Sequence, residues 1–299
     1  MQNSAVRPRC RRGAFVAAIA GLLVSACSVV ALSYQFAPEF VYWRLDQALD
    51  FDAAQGADVC ARLDRLQAWH RRSELAEYAR FLREVQARLA RPASVAGVGW
   101  VHDEVRRRYL RILDAVEADA VEVVLGLRAE QLDSLERYFA RMSADFERRL
   151  VDAGPERARE ELFRHTLRRL ERWYGAFDDG ARGRLRRLAE EIPLDRRLEL
   201  EDLRRRQREL LAFLRAVSAG KPAAREEIGS RLKRFFGRWE EGRTAAYGEY
   251  AERNRAALHS FYAEAANLAT PAQRARALRE LQAYVDEIAA LAPTGAAAR

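Results

Sequence analysis

Apolar side chains recur at intervals of three and four residues along most of the chain, a period that only helices turn into a continuous face. Between residues 128 and 152 they fall at Leu132, Leu135, Tyr138, Phe139, Met142, Phe146 and Leu150. Between 162 and 177 they fall at Leu162, Phe163, Leu167, Leu170, Trp173, Tyr174 and Phe177. Each set lies on one side of a helix with 3.6 residues per turn. No segment sustains the alternation that a half-buried strand needs, and threonine, a frequent strand residue, occurs only at Thr166, Thr244, Thr270 and Thr294. Prolines 38, 92, 155, 193, 222, 271 and 293 sit at the ends of periodic segments, where a missing N–H costs least. The expected helices are 38–49, 52–70, 73–90, 98–125, 129–152, 156–176, 179–191, 194–218, 223–241, 243–268 and 271–291. The expected fold class is all-α, a multi-helix, elongated or curved bundle. With 49% hydrophobic and 32% charged residues the chain can bury a substantial core.

The N-terminus carries a different signal. Arg7, Arg9, Arg11 and Arg12 precede the apolar run Ala14 to Val24, which is short for a membrane span and the right length for a signal-peptide core. The run ends in Leu23-Val24-Ser25-Ala26-Cys27, which resembles the bacterial lipobox: an aliphatic residue and small ones recognised by signal peptidase II, then the cysteine that is acylated. The expected organisation is a lipoprotein signal peptide (1–26), an acylated membrane-proximal tether (27–37), an all-helical periplasmic domain (38–292) and a disordered tail (293–299). Several acyl chains on Cys27 would hold the protein firmly to a membrane, and Ser28, in place of aspartate, resembles the pattern of lipoproteins released to the outer membrane. Palmitate is one expected modification. With Cys10 removed and Cys27 acylated, no intramolecular disulfide is expected, and Cys60 reads as a buried, inert thiol.

The charge does not call for a nucleic-acid partner, and none is expected. Half of the formal charge of +8 lies in the four arginines before the apolar run. The remaining arginines alternate with acids, as in the segment from Glu199 to Glu209, which reads as a solvated, ion-paired helix face. Of 52 basic residues only Lys221 and Lys233 are lysines.

The one cluster that invites a functional reading is Trp69, His70, Arg71, Glu74 and Tyr78. His70 and Glu74 lie one helical turn apart and could act as an acid and base pair or as two ligands of a metal. No third ligand stands nearby, and Arg71 and Arg72 point to a buried charge network at a helix junction instead. His102, His165 and His259 read as isolated on charged helices. No catalytic constellation, metal site or cofactor motif is expected. Two internal echoes stand out. One is a paired aromatic flanked by a small residue, in 135–141, 170–176 and 232–238, that would let a neighbouring helix approach. The other is a five-residue element ending in glutamine, Phe51 to Gln55, Leu127 to Gln131 and Ala269 to Gln273, with Phe177 to Ala181 as a degenerate copy. Glutamine at the third helical position can reach back and cap the helix. The segment after Cys27 is short and apolar, with Phe40, Tyr42 and Trp43 following; its rings either sit at headgroup level or dock into the helical core.

On the lipobox with Tyr34 and Trp43, the Trp69-His-Arg-Arg-Ser-Glu-Leu75 element with Tyr78, Leu135 to Phe139, Glu171 to Trp173 with Gly175, and Thr270 to Arg274, the chain from Cys27 to Leu291 resembles the DUF6279 family of bacterial, mainly proteobacterial, lipoproteins. The resemblance implies fold and anchoring, and no activity. The glutamine element is also similar to the Leu-Thr-x-x-Gln signature of small periplasmic chaperones of the Spy type. The expected function is therefore a membrane-anchored periplasmic binding or envelope-scaffold protein at the outer membrane, with an envelope protein or client as partner. The alternatives are a Spy-like holdase and, from another class, an enzyme using His70 and Glu74.

Overall fold

The computed structural model describes residues 29–220, 224–238 and 240–293. Among the described residues there are twelve α-helices and no strand. They are α1 (Val29–Gln35), α2 (Ala37–Leu49), α3 (Ala53–Ser73), α4 (Leu75–Leu89), α5 (Val95–Leu125) and α6 (Ala129–Phe146). Then come α7 (Pro155–Tyr174), α8 (Asp179–Glu190), α9 (Arg196–Ser218), α10 (Arg225–Gly237), α11 (Ala245–Leu268) and α12 (Pro271–Leu291). The periodic reading located these elements closely, with two exceptions. Helix α1 starts upstream of the expected set, inside the segment 27–37. The stretch after α6 is wider than α: Glu147–Val151 forms a π turn closed by Asp152 N–H to Glu147 O at 2.9 Å.

Local chemistry explains the boundaries. Asp52, Ser94, Asp178, Asp195, Thr244 and Thr270 each accept the N–H three residues on and satisfy an orphan donor at the start of α3, α5, α8, α9, α11 and α12. Gly175, with φ of +78°, stops α7 and turns the chain toward α8. Both small residues also admit a close neighbour: a Cβ at Gly175 would lie 3.2 Å from Arg276 of α12, and one at Gly237, the corresponding residue of the third aromatic pair, 3.3 Å from Leu110 of α5. Pro38 supplies no N–H to the carbonyl of Tyr34 one turn back, and the side chain of Gln67 takes that carbonyl at 2.6 Å. The bend between α1 and α2 is thus compensated from α3.

Two cores organise the bundle. One gathers Phe163, Leu167, Leu170 and Tyr174 of α7, Leu185 and Ala189 of α8, Phe261 and Ala265 of α11 and Ala277 of α12. The other gathers Leu49 of α2, Val121 and Val124 of α5, Leu132 and Leu135 of α6, Leu211 and Leu214 of α9, and Ile228 and Leu232 of α10. A smaller group, Tyr42, Val59 and Cys60, seats α2 on α3. Helix α5, with 31 residues and thus about 46 Å long, packs against α10, α11, α3 and α9. Helix α4 lies along α12, and α1 touches α12 as well, so the two ends of the described chain meet.

Candidate functional site

Helices α3 and α4 are nearly one helix. Glu74 N–H bonds His70 O at 2.9 Å and Tyr78 N–H bonds Glu74 O at 2.8 Å, so the ladder runs on through the bend. His70, Glu74 and Tyr78 consequently stack a turn apart on one face. The imidazole lies between two phenols: Tyr34 Oη is 3.1 Å from Nδ1 and Tyr78 Oη is 3.2 Å from Nε2. Tyr34 also donates to the carbonyl of Gln67 at 3.3 Å. One proton arrangement satisfies all four groups: Tyr78 donates to Nε2, Nδ1–H donates to Tyr34, and Tyr34 donates to Gln67. Burial holds the His70 pKa below the ordinary imidazole value, which favours this neutral form, and raises both tyrosines.

Glu74 is 0% exposed. Its counter-ion is Arg111 of α5, Nη2 to Oε1 at 2.7 Å. The arginine that meets this carboxylate comes from a distant helix and is neither Arg71 nor Arg72. Arg71 lies over the Tyr34 ring at 5.7 Å, and Trp69 meets His70 edge-on at 6.3 Å. Arg108, 6.0 Å from the Tyr78 ring, bonds Glu104 at 2.5 Å and covers the Phe81 ring at 4.2 Å. His70 and Glu74 therefore have different partners, so the cluster works as a joint of α1, α3, α4 and α5.

A second site was not legible in the sequence. His102 of α5 and His259 of α11, read as isolated, face each other with ring centroids 5.3 Å apart, because α5 and α11 pack together. They border an open cleft of about 390 Å³ lined also by Tyr247, Tyr250, Asn254, Arg255 and Tyr262. His102 Nε2 is 3.0 Å from Glu240, and Arg255 lies 3.7 Å from the same carboxylate. Partly buried and flanked by His102 and Arg255, His259 has a lowered pKa, and its Nε2 has no hydrogen-bond partner among the described residues. Tyr250, raised by burial and by its bond to Glu199, closes one wall. Such a cleft, apolar in part and rimmed by convergent polar groups, has the form of a small-ligand or side-chain pocket. Among the described residues no group of three or more His, Cys, Asp or Glu is arranged to hold a metal.

The glutamine element is structural. Gln55 caps α3 and donates to Gly126 O at 2.8 Å and Gln131 Oε1 at 3.1 Å. Gln131 returns a bond to Gln55 Oε1 at 2.8 Å and reaches the carbonyl of Leu49 at 3.1 Å. Gln273 caps α12 and donates to Ala176 O at 2.8 Å. Gly126 precedes Leu127 as Ala176 precedes Phe177, so the starts of α3 and α6 form one joint and those of α12 and α8 a second copy. Ala181 stands where the fourth glutamine would be.

Leu23, Val24, Ser25, Ala26 and Cys27 lie outside the described residues, as does the tail from 294. Cys60 is disulfide-bonded, which corrects the expectation of an inert thiol. That expectation took Cys10 as removed and Cys27 as acylated, and both positions lie outside the described residues. No helix among the described residues is long and apolar enough to cross a membrane.

The fold and the two sites define an all-helical protein whose polar clusters sit at helix joints and in one inter-helical cleft. The family of unknown function DUF6279 matches residues 47–229, more than half of the chain, and the protein belongs to that family. The match contains the Trp69 to Tyr78 cluster and the first glutamine joint; it stops short of α11, α12 and most of the cleft. No curated protein matches the chain, and no solved structure matches it.

Proposed function

We propose that the chain is an acylated lipoprotein of the bacterial envelope, held through Cys27 at the periplasmic face of the outer membrane, and that it acts as a binding or scaffold protein. The anchor rests on the Leu23 to Cys27 motif, and it applies to the processed chain, in which Cys10 is removed and Cys27 acylated, so that the Cys60 disulfide belongs to the unprocessed chain alone. Binding rests on the cleft between α5 and α11, where a buried, unpaired His259 Nε2 meets Asn254, Arg255 and three tyrosines. An unpaired buried polar atom is costly unless a ligand supplies the missing bond. Catalysis by His70 and Glu74 has less support, since the phenols of Tyr34 and Tyr78 occupy both imidazole nitrogens and Arg111 closes off a fully buried carboxylate. A Spy-like holdase has less support too, since the glutamines that carry that likeness are engaged in helix joints.

The test places a photo-crosslinking residue at Tyr262, on the wall of the cleft, in the full-length protein in living cells. A single discrete adduct is expected, reduced at least several-fold by His259→Leu with Asn254→Leu. An adduct that survives those substitutions, or none at all, removes the cleft as the binding site. Membrane fractionation of Cys27→Ser in the same cells reports the anchor separately.

A further inference from the structure

Helices α1 and α2 carry an apolar stripe that the molecule leaves uncovered. Leu32, Phe36, Phe40 and Trp43 follow at intervals of four, four and three residues. On either side of the Pro38 interruption the backbone bonds hold, with Phe36 N–H to Leu32 O at 3.1 Å and Phe40 N–H to Phe36 O at 3.0 Å. All four side chains therefore fall on one face, and they are 51, 53, 61 and 50% exposed. Pro38, Tyr42, Ala48 and Leu49 of α2 are buried in packing, and Val41 and Leu45, off the stripe, are 40 and 36% exposed. Elsewhere exposed large apolar residues are spread along α5 and α6, at Val95, Val105, Tyr109, Leu125 and Met142. A contiguous stripe marks a contact surface where scattered residues do not.

The position of the stripe in the chain indicates what covers it. Leu32 comes five residues after Cys27, so acyl chains on that cysteine would bring α1 to the bilayer surface. From Val29 to Leu49 the two helices run about 30 Å, which lays the stripe along a leaflet. The chemistry fits the interface: Phe40 and Trp43 pack with centroids 5.9 Å apart, and the Arg44 guanidinium lies 5.9 Å from the Trp43 ring. An aromatic pair at headgroup depth with an arginine reaching phosphate is the pattern of a helix that lies in the membrane plane.

We propose that α1 and α2 lie flat on a phospholipid leaflet with Leu32, Phe36, Phe40 and Trp43 inserted among the headgroups and upper acyl chains. This contact rests on the reading of Cys27 as an acylated anchor and adds orientation to it: a lipid on one residue leaves a domain free to swivel, whereas a second, extended contact fixes which helices face away from the membrane.

The test reconstitutes the full-length protein, extracted from the membranes that produced it, into vesicles of phosphatidylethanolamine and phosphatidylglycerol carrying brominated acyl chains. Because the chain has five tryptophans, the reading is the emission of the wild type minus that of Trp43→Tyr. Quenching of this difference by at least half is expected. If intact mass shows an acylated Cys27 and the difference emission is unquenched, the stripe contact fails while the anchor stands. If Cys27 is unmodified, the anchor fails, and flotation of the same protein with these vesicles judges the stripe. Flotation lost in the fourfold serine variant at positions 32, 36, 40 and 43 supports the contact; no flotation of the wild type overturns it. Cross-linking of Trp43 positions into dimers on vesicles, with no quenching, would assign the stripe to a second copy instead. The four side chains are half exposed or more, so the serine variant is expected to keep its helical circular dichroism.

Discussion

Neutral His70 between two phenols makes stability depend on pH in a defined direction. Burial lowers its folded pKa, so in the window below the unfolded value of about 6.5 the unfolded chain binds a proton that the folded chain refuses. Stability is then unaffected at high pH, falls as pH drops through that window, and levels off once the folded form is protonated too. His259, also lowered, acts in the same sense. His70→Gln keeps a donor and an acceptor and removes one titration, so its melting temperature is expected to fall less between about pH 7 and 5 than that of the wild type, as followed by circular dichroism. An equal slope in both would show that the joint holds a protonated imidazole without cost. Cys60 belongs to the same scale: its spacing with Leu63 and Leu66 marks it as inward-facing, and the structure buries it at 7% exposure, but no spacing could foretell its covalent partner.

At the scale of elements, the glutamine joints explain why one short motif recurs at unequal intervals. Each glutamine closes its own helix start and also takes a carbonyl from the connection that precedes another helix, so two remote helix starts are fastened together. Periodicity and capping rules made the first function legible. The second depends on residues 76 or 97 positions away and could not be read from the chain. The degenerate site offers a test. Ala181 already receives the Asp178 cap at its N–H, 2.8 Å, and lies partly buried against the first core. Ala181→Gln is expected to complete the second joint as Gln131 completes the first, stabilising the fold by about 1 kcal/mol, visible as a raised midpoint in urea unfolding. A lowered midpoint would show that the two joints are not equivalent.

For the whole molecule, the pair Glu74 and Arg111 ties the bend between α3 and α4 to the middle of α5, which in turn contacts both halves of the bundle. Removing the arginine leaves a fully buried carboxylate without its counter-ion, and Arg111→Ala is expected to cost about 3 kcal/mol in chemical unfolding; Glu74→Gln with Arg111→Ala together should cost less than the single arginine change. If the single and double variants unfold alike, the pair is not a coupled tie.

The sequence by itself determined the helical class, nearly all helix positions and the glutamine caps at 55, 131 and 273, because period, caps and breakers act over a few residues of the same chain. Family membership was legible from ordered short motifs for a similar reason. Only the tertiary structure decided that Arg111 serves Glu74, that His102 and His259 share a cleft, that Tyr34 completes the His70 chain, and that Leu32, Phe36, Phe40 and Trp43 remain outside the core. Those outcomes depend on which helix faces are brought together, and helices distant in sequence meet through packing that no local pattern encodes.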